Sequence, residues 1–269
     1  MSRFVDHMAK TASEVESFLA SFLGGFGLMS EEAAYSVLGG GKRFRPALSM
    51  IFAEGIGEEA RLDVLRAACA VELTHCFSLV HDDLPEMDDD SERRGKPSCH
   101  VRFGHAGALL CGDWLSSAAF SMASSLSSPE SSSYVCGLLS ECSMRMIEGQ
   151  LLEMRTPSPD AGSLLRIHSL KTGALIRCAV FAGARIAGGA SALEGLLPYA
   201  ESLGLLFQIS DDLLDAGDGE ANLASVLGMK ACLDLAGSVA DRARRAAARY
   251  GRHEELLVSA VDFLIERTV

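Results

Sequence analysis

Apolar residues recur at three- and four-residue intervals along most of the chain, which is the spacing of amphipathic helices. Between residues 10 and 23, for example, Val15, Phe18, Leu19 and Phe22 fall on one side of a helix. Alternating β-branched positions are almost absent, and Ala, Leu, Glu, Arg and Met, which favour helix, dominate the composition. The pattern therefore predicts an all-α protein.

Glycine, proline and serine separate the predicted helices. Gly39-Gly40-Gly41 interrupts the pattern, Pro46 suits the first turn of a new helix, and Pro85 ends or distorts the longest one. A serine-rich stretch over 121–133 is predicted to be a loop. A helix start is expected at Ser30, and the other predicted helical segments are 10–23, 46–54, 58–80, 104–126, 134–154, 161–189, 194–215, 222–248 and 253–266. Because no repeat, linker or boundary is evident, we expect residues 1–269 to form one domain of about ten helices.

Composition and charge narrow the classes of function. The chain has 269 residues, of which 48% are hydrophobic, enough for a substantial core. Its formal net charge of −12 disfavours nucleic-acid binding. The eight cysteines lack zinc-site spacing, no apolar signal segment is evident at the start, and the run from Leu175 to Ala190 is too short and charged to cross a membrane. We expect a cytoplasmic protein with reduced thiols and no stable membrane insertion.

Two acidic clusters lie beside apolar helical sequence. Seven carboxylates fall within residues 82–92, and a second cluster contains Asp211 and Asp215, which share a helix face. A lone acidic run is often a solvated loop. Carboxylates held against apolar walls, however, need counter-cations, and a hard cation such as Mg²⁺ prefers oxygen ligands. Since Pro85 distorts the intervening turn, we expect Asp82 and Asp88 to converge.

Basic residues follow a glycine run and the first acidic cluster. Lys42, Arg43 and Arg45 come directly after the three glycines, in a spacing that does not match a Walker A loop. They are interpreted either as solvated loop cations or as a clamp for a diphosphate, because Arg binds phosphate oxygens bidentately. Arg93 and Arg94 are explained equally well by local charge balance and by phosphate binding.

These segments occur together in a particular order. The stretches, in chain order, are GGGKRFRP, HCFSLVHDDLPEMDDDSERRGKPSCHVRFG, CGDWL, KTGALIRCAV and LGLLFQISDDLLD. In this combination, over roughly residues 37–267, the chain resembles the trans-polyprenyl diphosphate synthases, and within them the bacterial farnesyl diphosphate synthases or geranyltranstransferases. The resemblance implies a single polyprenyl synthase domain, an isoprenoid-synthase-type helical bundle around a deep apolar cavity, and a homodimer.

The resemblance also implies a reaction. Members of this family join an allylic diphosphate, dimethylallyl or geranyl, to isopentenyl diphosphate, with about three Mg²⁺ ions held between the two aspartate motifs. The expected product is farnesyl diphosphate. The alternatives are a geranylgeranyl diphosphate synthase, a weakly active or regulatory family member, and a terpene cyclase on the same fold.

The positions that match the family motifs fall into three sets. The implied metal ligands are Asp82, Asp88 and Asp211, with Asp83, Asp212 and Asp215 in supporting positions. The residues implied to bind isopentenyl diphosphate are Lys42, Arg45, His75 and Arg94. The residues implied on the allylic diphosphate side are Arg93, Lys171 and Gln208. Of these, Lys171 and Gln208, together with Thr172, form the implied catalytic set, in which Thr172 and Gln208 present oxygens to the carbocation.

Two further positions concern product length and a departure from the family. Phe77, five residues before Asp82, matches the position that sets chain length, and a large aromatic there is similar to enzymes that stop at fifteen carbons. Relatives carry a longer lid loop with two lysines after the second motif. Here both lysines are absent from the short segment after Asp215, and Glu220 replaces the later one. Because a charge-assisted contact contributes about 1.5–3 kcal/mol, we expect weaker allylic binding or lid closure.

Overall fold

A computed structural model describes residues 2–25, 27–216 and 221–267 as a helical bundle with one small hairpin. The α-helices in chain order are α1 (Arg3–Leu23), α2 (Ser30–Val37), α3 (Phe44–Met50), α4 (Glu58–Asp82), α5 (Cys99–Ser124), α6 (Pro129–Met154), α7 (Ala161–His168), α8 (Ala174–Gly188), α9 (Leu197–Leu214), α10 (Leu223–Leu227), α11 (Met229–Ala247) and α12 (Glu254–Glu266). Short 3₁₀ turns cover Ile51–Ala53, Ala190–Leu193 and Gly251–His253, and a π-helical turn (Ser169–Gly173) joins α7 to α8. The hairpin pairs β1 (Glu92–Arg93) with β2 (Lys96–Pro97). The predicted all-α fold is confirmed.

Helices α4 and α8 lie at the centre of the bundle. Helix α4 packs against α3, α5 and α8, and α8 also packs against α6 and α9. From Asp63 to Val80, α4 is buried on most sides, as expected for a helix that is apolar nearly all round. Its C-terminal end therefore brings Asp82 out of the core to the edge of the bundle. None of the helices in the described ranges is both long enough and apolar enough to span a membrane.

The first helix is longer than predicted. It begins at Arg3 rather than at residue 10, because Phe4 and Met8 continue its buried face at helical spacing. The Phe4 ring lies 5.7 Å from the Phe44 ring and 5.8 Å from the Phe263 ring, measured between centroids. These contacts to α3 and α12 fix the start of α1, and they depend on partners that are distant in sequence.

The loop predicted over 121–133 is confined to residues 125–128. Helix α5 continues to Ser124, and α6 begins at Pro129. The hydroxyl oxygen of Ser128 accepts a hydrogen bond from the backbone N–H of Ser131 at 3.3 Å, which makes Ser128 the N-cap. The serines therefore cap and extend helices here. The helix predicted over 222–248 is also divided, into α10 and α11, at Gly228.

The hairpin was not predicted. Its register pairs Glu92 with Pro97 and Arg93 with Lys96. Arg94 and Gly95 form the turn with φ of 56° and 74°, the positive values that a tight two-residue hairpin turn requires. The hairpin follows the first acidic cluster directly and turns the chain back toward α5.

Candidate active site

The first acidic cluster folds back on the end of α4. Beyond Pro85, the backbone N–H of Asp88 donates to the carbonyl oxygen of Asp82 at 2.9 Å. This bond brings the two residues together, as the sequence predicts. The side-chain amide of Gln150 donates to Oδ1 of Asp88 at 3.0 Å. Burial raises the pKa of Asp82 to about 6, which Lys171 opposes and Asp88 reinforces, so this carboxylate lies where a cation would be favoured.

A pocket of about 660 Å³, here named the apolar pocket, lies beside these carboxylates. Asp82, Gln150 and Lys171 are among its polar groups, and apolar side chains such as Phe77 and Met146 form most of its wall. Phe77 is buried on α4 and lies about one helical turn before Asp82. The aromatic side chain singled out for chain length therefore shares a pocket with an aspartate of the first cluster.

The π-helical turn, Ser169–Gly173, brings Lys171 to the apolar pocket. Lys171 Nζ donates to Oε2 of Glu153 at 2.5 Å. Burial alone would lower the pKa of Lys171, but Glu153 and Asp82 outweigh it and raise the pKa above its ordinary value, so Lys171 is a cation. The sequence predicts an uninterrupted helix over 161–189. The π-helical turn is therefore a correction, and such turns recur at functional sites.

Two glycines allow close packing on either side of this turn. A Cβ added at Gly149 of α6 would lie 2.7 Å from the backbone nitrogen of Lys171. A Cβ added at Gly204 of α9 would lie 2.9 Å from the Cα of Gly173. Because backbone atoms cannot move aside as a flexible side chain can, the absence of a Cβ lets both helices approach the turn and hold Lys171 in place.

A chain of hydrogen bonds runs from the π-helical turn to the second acidic cluster. Thr172 Oγ1 donates to Oε1 of Gln208 at 2.8 Å, and Nε2 of Gln208 donates to Oδ2 of Asp211 over a long 3.5 Å. Nη2 of Arg267 donates to Oδ1 of Asp211 at 2.8 Å. Burial raises the pKa of Asp211 although Arg267 opposes it. Three predicted residues thus form one network, and sequence reasoning missed Arg267.

Asp212, beside Asp211, holds the fold together. Its Oδ2 accepts a hydrogen bond from Nε2 of His168 at 2.9 Å and another from the backbone N–H of Leu223 at 2.9 Å. The side chain is largely buried. Asp212 therefore fastens α7 and the start of α10 to α9, which fits the supporting role implied by the sequence.

A second pocket of about 560 Å³, here named the basic pocket, lies between the glycine-rich loop before α3 and helix α4. Lys42, Arg45, His75 and Arg94 all line it, and Arg267 adds a fifth basic side chain. The buried Nε–H of Arg45 has no hydrogen-bond acceptor among the described residues. Burial, Arg45 and Arg94 lower the pKa of His75 well below its ordinary value, so at neutral pH His75 is a hydrogen-bonding group and not a cation.

Arg43 has a structural role. Its Nη1 donates to Oε1 of Glu72 at 2.6 Å, and its Nη2 donates to the carbonyl oxygen of Val37 at 2.7 Å and to Oε1 of Glu16 at 3.3 Å. Its side chain has no exposed surface, and that of Glu72 is 3% exposed. One of the two interpretations of the sequence placed all three cations of this segment in a diphosphate clamp. Because Arg43 is committed to an internal ion pair, only Lys42 remains beside Arg45.

The hairpin directs its two arginines to different partners. Nε of Arg93 donates to Oδ1 of Asp83 at 2.9 Å, and Nη2 donates to Oδ2 of Asp90 at 2.5 Å. Nη1 of Arg94 donates to the carbonyl oxygen of Gly40, at the edge of the basic pocket. Arg94 thus joins the residues predicted to lie with it. Arg93 is paired with carboxylates, and its contact with an allylic diphosphate stays a prediction.

The predicted metal ligands suit Mg²⁺ in donor chemistry. Asp82, Asp88 and Asp211 offer anionic oxygens, the ligand type that Mg²⁺ prefers. Over residues 2–25, 27–216 and 221–267, no three His, Cys, Asp or Glu side chains converge on one point. Mg²⁺ is usually held by one or two carboxylates, with substrate phosphates and water completing its shell. The donor set therefore fits an ion shared with a bound diphosphate.

Comparisons with known proteins assign the chain to a family. The family model described as Polyprenyl synthetase matches residues 27–237. The chain is 40% identical over 266 residues to the farnesyl diphosphate synthase of Escherichia coli (strain K12), with 88% of each chain covered. The chain belongs to the polyprenyl synthetase family.

Other relatives extend the comparison. The chloroplastic geranylgeranyl pyrophosphate synthase of Capsicum annuum is 36% identical over 216 residues, which cover 77% of this chain and 58% of that relative. The apo crystal structure of an FPP/GFPP synthase from Zymomonas mobilis is similar with a TM-score of 0.89 at 31% identity, covering 98% of this chain and 100% of that one. The isoprenoid-synthase fold predicted from the sequence is therefore confirmed.

The departure from the family expected from the sequence lies after the second acidic cluster. Helix α9 ends at Leu214, and α10 begins at Leu223. Asn222 caps α10, since its side chain accepts from the backbone N–H of Ser225 while the Ser225 hydroxyl oxygen accepts from the Asn222 backbone. Glu220, which the family resemblance implies at the position of a lost lysine, lies outside the described residues.

Proposed function

We propose that this protein is a Mg²⁺-dependent short-chain prenyltransferase that joins dimethylallyl or geranyl diphosphate to isopentenyl diphosphate, with farnesyl diphosphate as the main product. One observation carries the proposal: the Thr172–Gln208–Asp211 network runs from Asp211, which lines the basic pocket, to Thr172, the chain neighbour of Lys171, which lines the apolar pocket. Similarity to the farnesyl diphosphate synthase of Escherichia coli supports the choice of product.

The basic pocket is proposed to bind isopentenyl diphosphate. Lys42 supplies a point charge, and Arg45 and Arg94 supply guanidinium groups that bind phosphate oxygens bidentately. A diphosphate oxygen would accept a hydrogen bond from the buried Nε–H of Arg45, and an unpaired buried donor costs about 1–3 kcal/mol. Neutral His75 adds a hydrogen bond without competing for the negative charge.

The allylic diphosphate is proposed to bind between the two acidic clusters. Asp82, Asp88 and Asp211 would hold Mg²⁺, which when bound neutralises the diphosphate and favours its departure. Lys171 provides a fixed positive charge at this end of the apolar pocket, and Thr172 and Gln208 present their oxygens to the developing allylic cation. The apolar wall excludes water from this cation.

The condensation breaks one bond and forms another. The allylic C–O bond breaks, and a C–C bond forms between the allylic carbon and the isopentenyl double bond. One proton leaves the condensed product and passes to the released diphosphate, so no side-chain base is required. The chain's own groups bind, orient and shield the reactants.

Release of inorganic diphosphate tests the proposal against a terpene cyclase. Purified protein is incubated with geranyl diphosphate and Mg²⁺, with and without isopentenyl diphosphate, and diphosphate is measured over time. We expect release that requires both substrates and stops when EDTA removes Mg²⁺. Release of equal rate without isopentenyl diphosphate would favour the cyclase. No release with any allylic partner would favour a regulatory family member, the alternative motivated by the short segment after Asp215.

Replacing Phe77 by alanine is expected to lengthen the main product from fifteen to twenty carbons. The change removes a buried ring from the wall of the apolar pocket, so the growing chain gains space. Products are extracted, dephosphorylated and separated by chromatography. Phe103→Ala is the matched control, because that ring packs on Tyr35 at 5.3 Å and does not line the apolar pocket. An unchanged product length in Phe77→Ala would show that this ring does not limit the chain.

Replacing Gly149 by alanine is expected to lower kcat by roughly 10²-fold, because the new methyl group would displace the turn that carries Lys171. Steady-state kinetics measure the change. Gly137→Ala, on the same helix with no atom within 4 Å of the added Cβ, should leave kcat unchanged and slightly raise stability. Equal kcat values for the two variants would refute the positioning role of Gly149.

We further propose a cytoplasmic homodimer. Apolar side chains on α5 and α6 remain exposed in the single chain outside the apolar pocket, among them Leu110 (58%) and Met144 (56%). Exposed apolar patches of this kind mark association surfaces. Light scattering after size-exclusion chromatography should give twice the mass of the chain, and a mass equal to one chain would exclude the dimer.

A further inference from the structure

The π-helical turn borders another pocket, of about 290 Å³, on a different side from the apolar pocket. Ser169 and Gly173 of the turn line this pocket, whereas Lys171 lines the apolar pocket. Residues from α6, α7, α8, α9 and α11 complete it. The pocket lies outside the proposed reaction site, and we name it the arginine pocket for the three arginines described next.

Two of these arginines share a single carboxylate oxygen. Nη2 of Arg177, on α8, donates to Oε1 of Glu141 at 2.6 Å. Nε of Arg145, on α6, donates to the same oxygen at 3.1 Å. Nη2 of Arg145 also lies 3.1 Å from that oxygen, and because a guanidinium carries five N–H donors, each arginine keeps donors that Glu141 does not engage. One carboxylate therefore balances two adjacent positive charges only in part.

The third arginine faces the pocket from α11. Nε of Arg242 donates to the hydroxyl of Ser202 at 2.7 Å, which is a neutral partner. Among the described residues, its two Nη atoms have no hydrogen-bond acceptor or ion-pair partner. Glu201 is the acidic residue that lines the pocket with it. With Glu141 included, three guanidinium groups thus face two carboxylates.

We propose that the arginine pocket binds a diphosphate-class anion. Guanidinium groups from three different helices converge on one small pocket, in a protein whose overall charge is −12. Like charges placed together repel one another, and an anion that bridges them removes this cost. Planar guanidinium groups bind phosphate oxygens in pairs, and a diphosphate offers enough oxygens to reach all three.

The position of the pocket gives this binding a consequence. Its ligand would connect α6, α8 and α11 beside the turn that positions Lys171 and Thr172. We expect occupancy to stabilise the folded protein, since a ligand that binds only the native state raises its stability. The inference concerns binding alone and does not depend on the proposed reaction.

Calorimetric titration with inorganic diphosphate tests the proposal on the full chain, with EDTA present. The variant K42Q/R94Q weakens the basic pocket, so that binding to the arginine pocket is seen by itself. We expect this variant to bind one diphosphate per chain. Adding R145Q/R242Q should weaken the remaining binding by at least about tenfold, the loss expected when two charge-assisted contacts are removed.

The matched control adds R155Q/R245Q to the same background. These exposed arginines lie at the end of α6 and on α11, and neither lines the arginine pocket. The control removes the same charge from the same two helices, so we expect unchanged affinity. If the R145Q/R242Q variant does not fold, the single variant R242Q replaces it, because Arg242 is exposed and its loss should not disturb the fold. R242Q alone should weaken binding by several-fold.

Any one of four results would overturn the proposal. K42Q/R94Q could bind no diphosphate, R145Q/R242Q could leave the affinity unchanged, or R155Q/R245Q could weaken it equally. In the last case the effect would be one of net charge. Inorganic phosphate that bound as tightly as diphosphate would also contradict the assigned ligand class.

Discussion

Replacing Asp82 by asparagine is expected to lower kcat/KM for condensation by roughly 10³-fold, equivalent to about 4 kcal/mol of transition-state stabilisation. Asparagine has nearly the same shape but no charge, so it keeps the packing and loses the interaction with a cation. Asp82 lies at the end of α4 beside Asp88 and lines the apolar pocket. The expected loss is therefore in catalysis and in binding of Mg²⁺ with diphosphate.

The stability of Asp82→Asn separates this loss from unfolding. Burial raises the pKa of Asp82 from 3.8 to about 6, so ionising the carboxylate weakens the fold as pH rises through that interval. A neutral asparagine avoids the cost of burying an ionised carboxylate. At pH 8 without metal, the melting temperature of the variant should therefore be no lower than that of the natural protein. In contrast, Mg²⁺ added at a fixed, saturating concentration of diphosphate should further raise the melting temperature of the natural protein but not that of the variant.

Asp89→Asn is the matched control for this prediction. Asp89 is exposed and neighbours Asp88, and its φ of 54° is a conformation that asparagine adopts readily. Its activity should stay within about twofold of the natural protein. An Asp82→Asn variant that kept more than about a tenth of its activity, or an equal loss in Asp89→Asn, would contradict the ligand role of Asp82.

Replacing Arg43 by methionine is expected to lower the free energy of unfolding by about 3–5 kcal/mol. The side chain of Glu72 would remain buried without its cation, and the carbonyl oxygen of Val37 would lose a donor. Arg43 has a φ of 50°, and because arginine and methionine meet the same steric cost there, the comparison isolates the ion pair. Urea unfolding followed by circular dichroism measures the change.

Arg61→Met is the control for the buried ion pair. Arg61 donates to Glu14 at 2.5 Å, but both side chains are partly exposed, and pairs of this kind contribute about 0–1 kcal/mol. The double variant Arg43→Met with Glu72→Met should recover part of the lost stability, because no buried charge is left unpaired. Equal destabilisation in Arg43→Met and Arg61→Met would show that burial of the Arg43–Glu72 pair has no special effect.

Local sequence patterns were sufficient to predict two kinds of feature. These are contacts between residues close in sequence, and helices that are apolar on nearly every face. Helix α4 was predicted over 58–80 and is observed at Glu58–Asp82, because its apolar residues leave few alternatives. The pairing of Asp82 with Asp88 followed from the distorting effect of Pro85. The loop predicted for the serine-rich segment was too long because serine favours both loops and helix caps. Pro129 was the sequence signal for a helix start there.

Long-range contacts account for what the sequence did not predict. Arg43 is no different in type from its neighbour Arg45, and its assignment depends on Glu72, which is 29 residues away. Arg267 reaches Asp211 across 56 residues. The π-helical turn depends on helices that approach at Gly149 and Gly204, and no local propensity encodes that approach. The sequence signals for this turn were Gly149 and the Lys171-Thr172-Gly173 segment, but only the structure shows that they are in contact.

The identity of the product formed from labelled isopentenyl diphosphate tests the central claim most directly. The purified natural protein is incubated with Mg²⁺, labelled isopentenyl diphosphate and geranyl diphosphate, and the dephosphorylated products are separated by chromatography with mass detection. We predict labelled farnesol as the main product, formed only when Mg²⁺ and both substrates are present. The absence of any labelled prenyl alcohol with dimethylallyl, geranyl or farnesyl diphosphate as partner would contradict the assignment of this protein as a prenyltransferase.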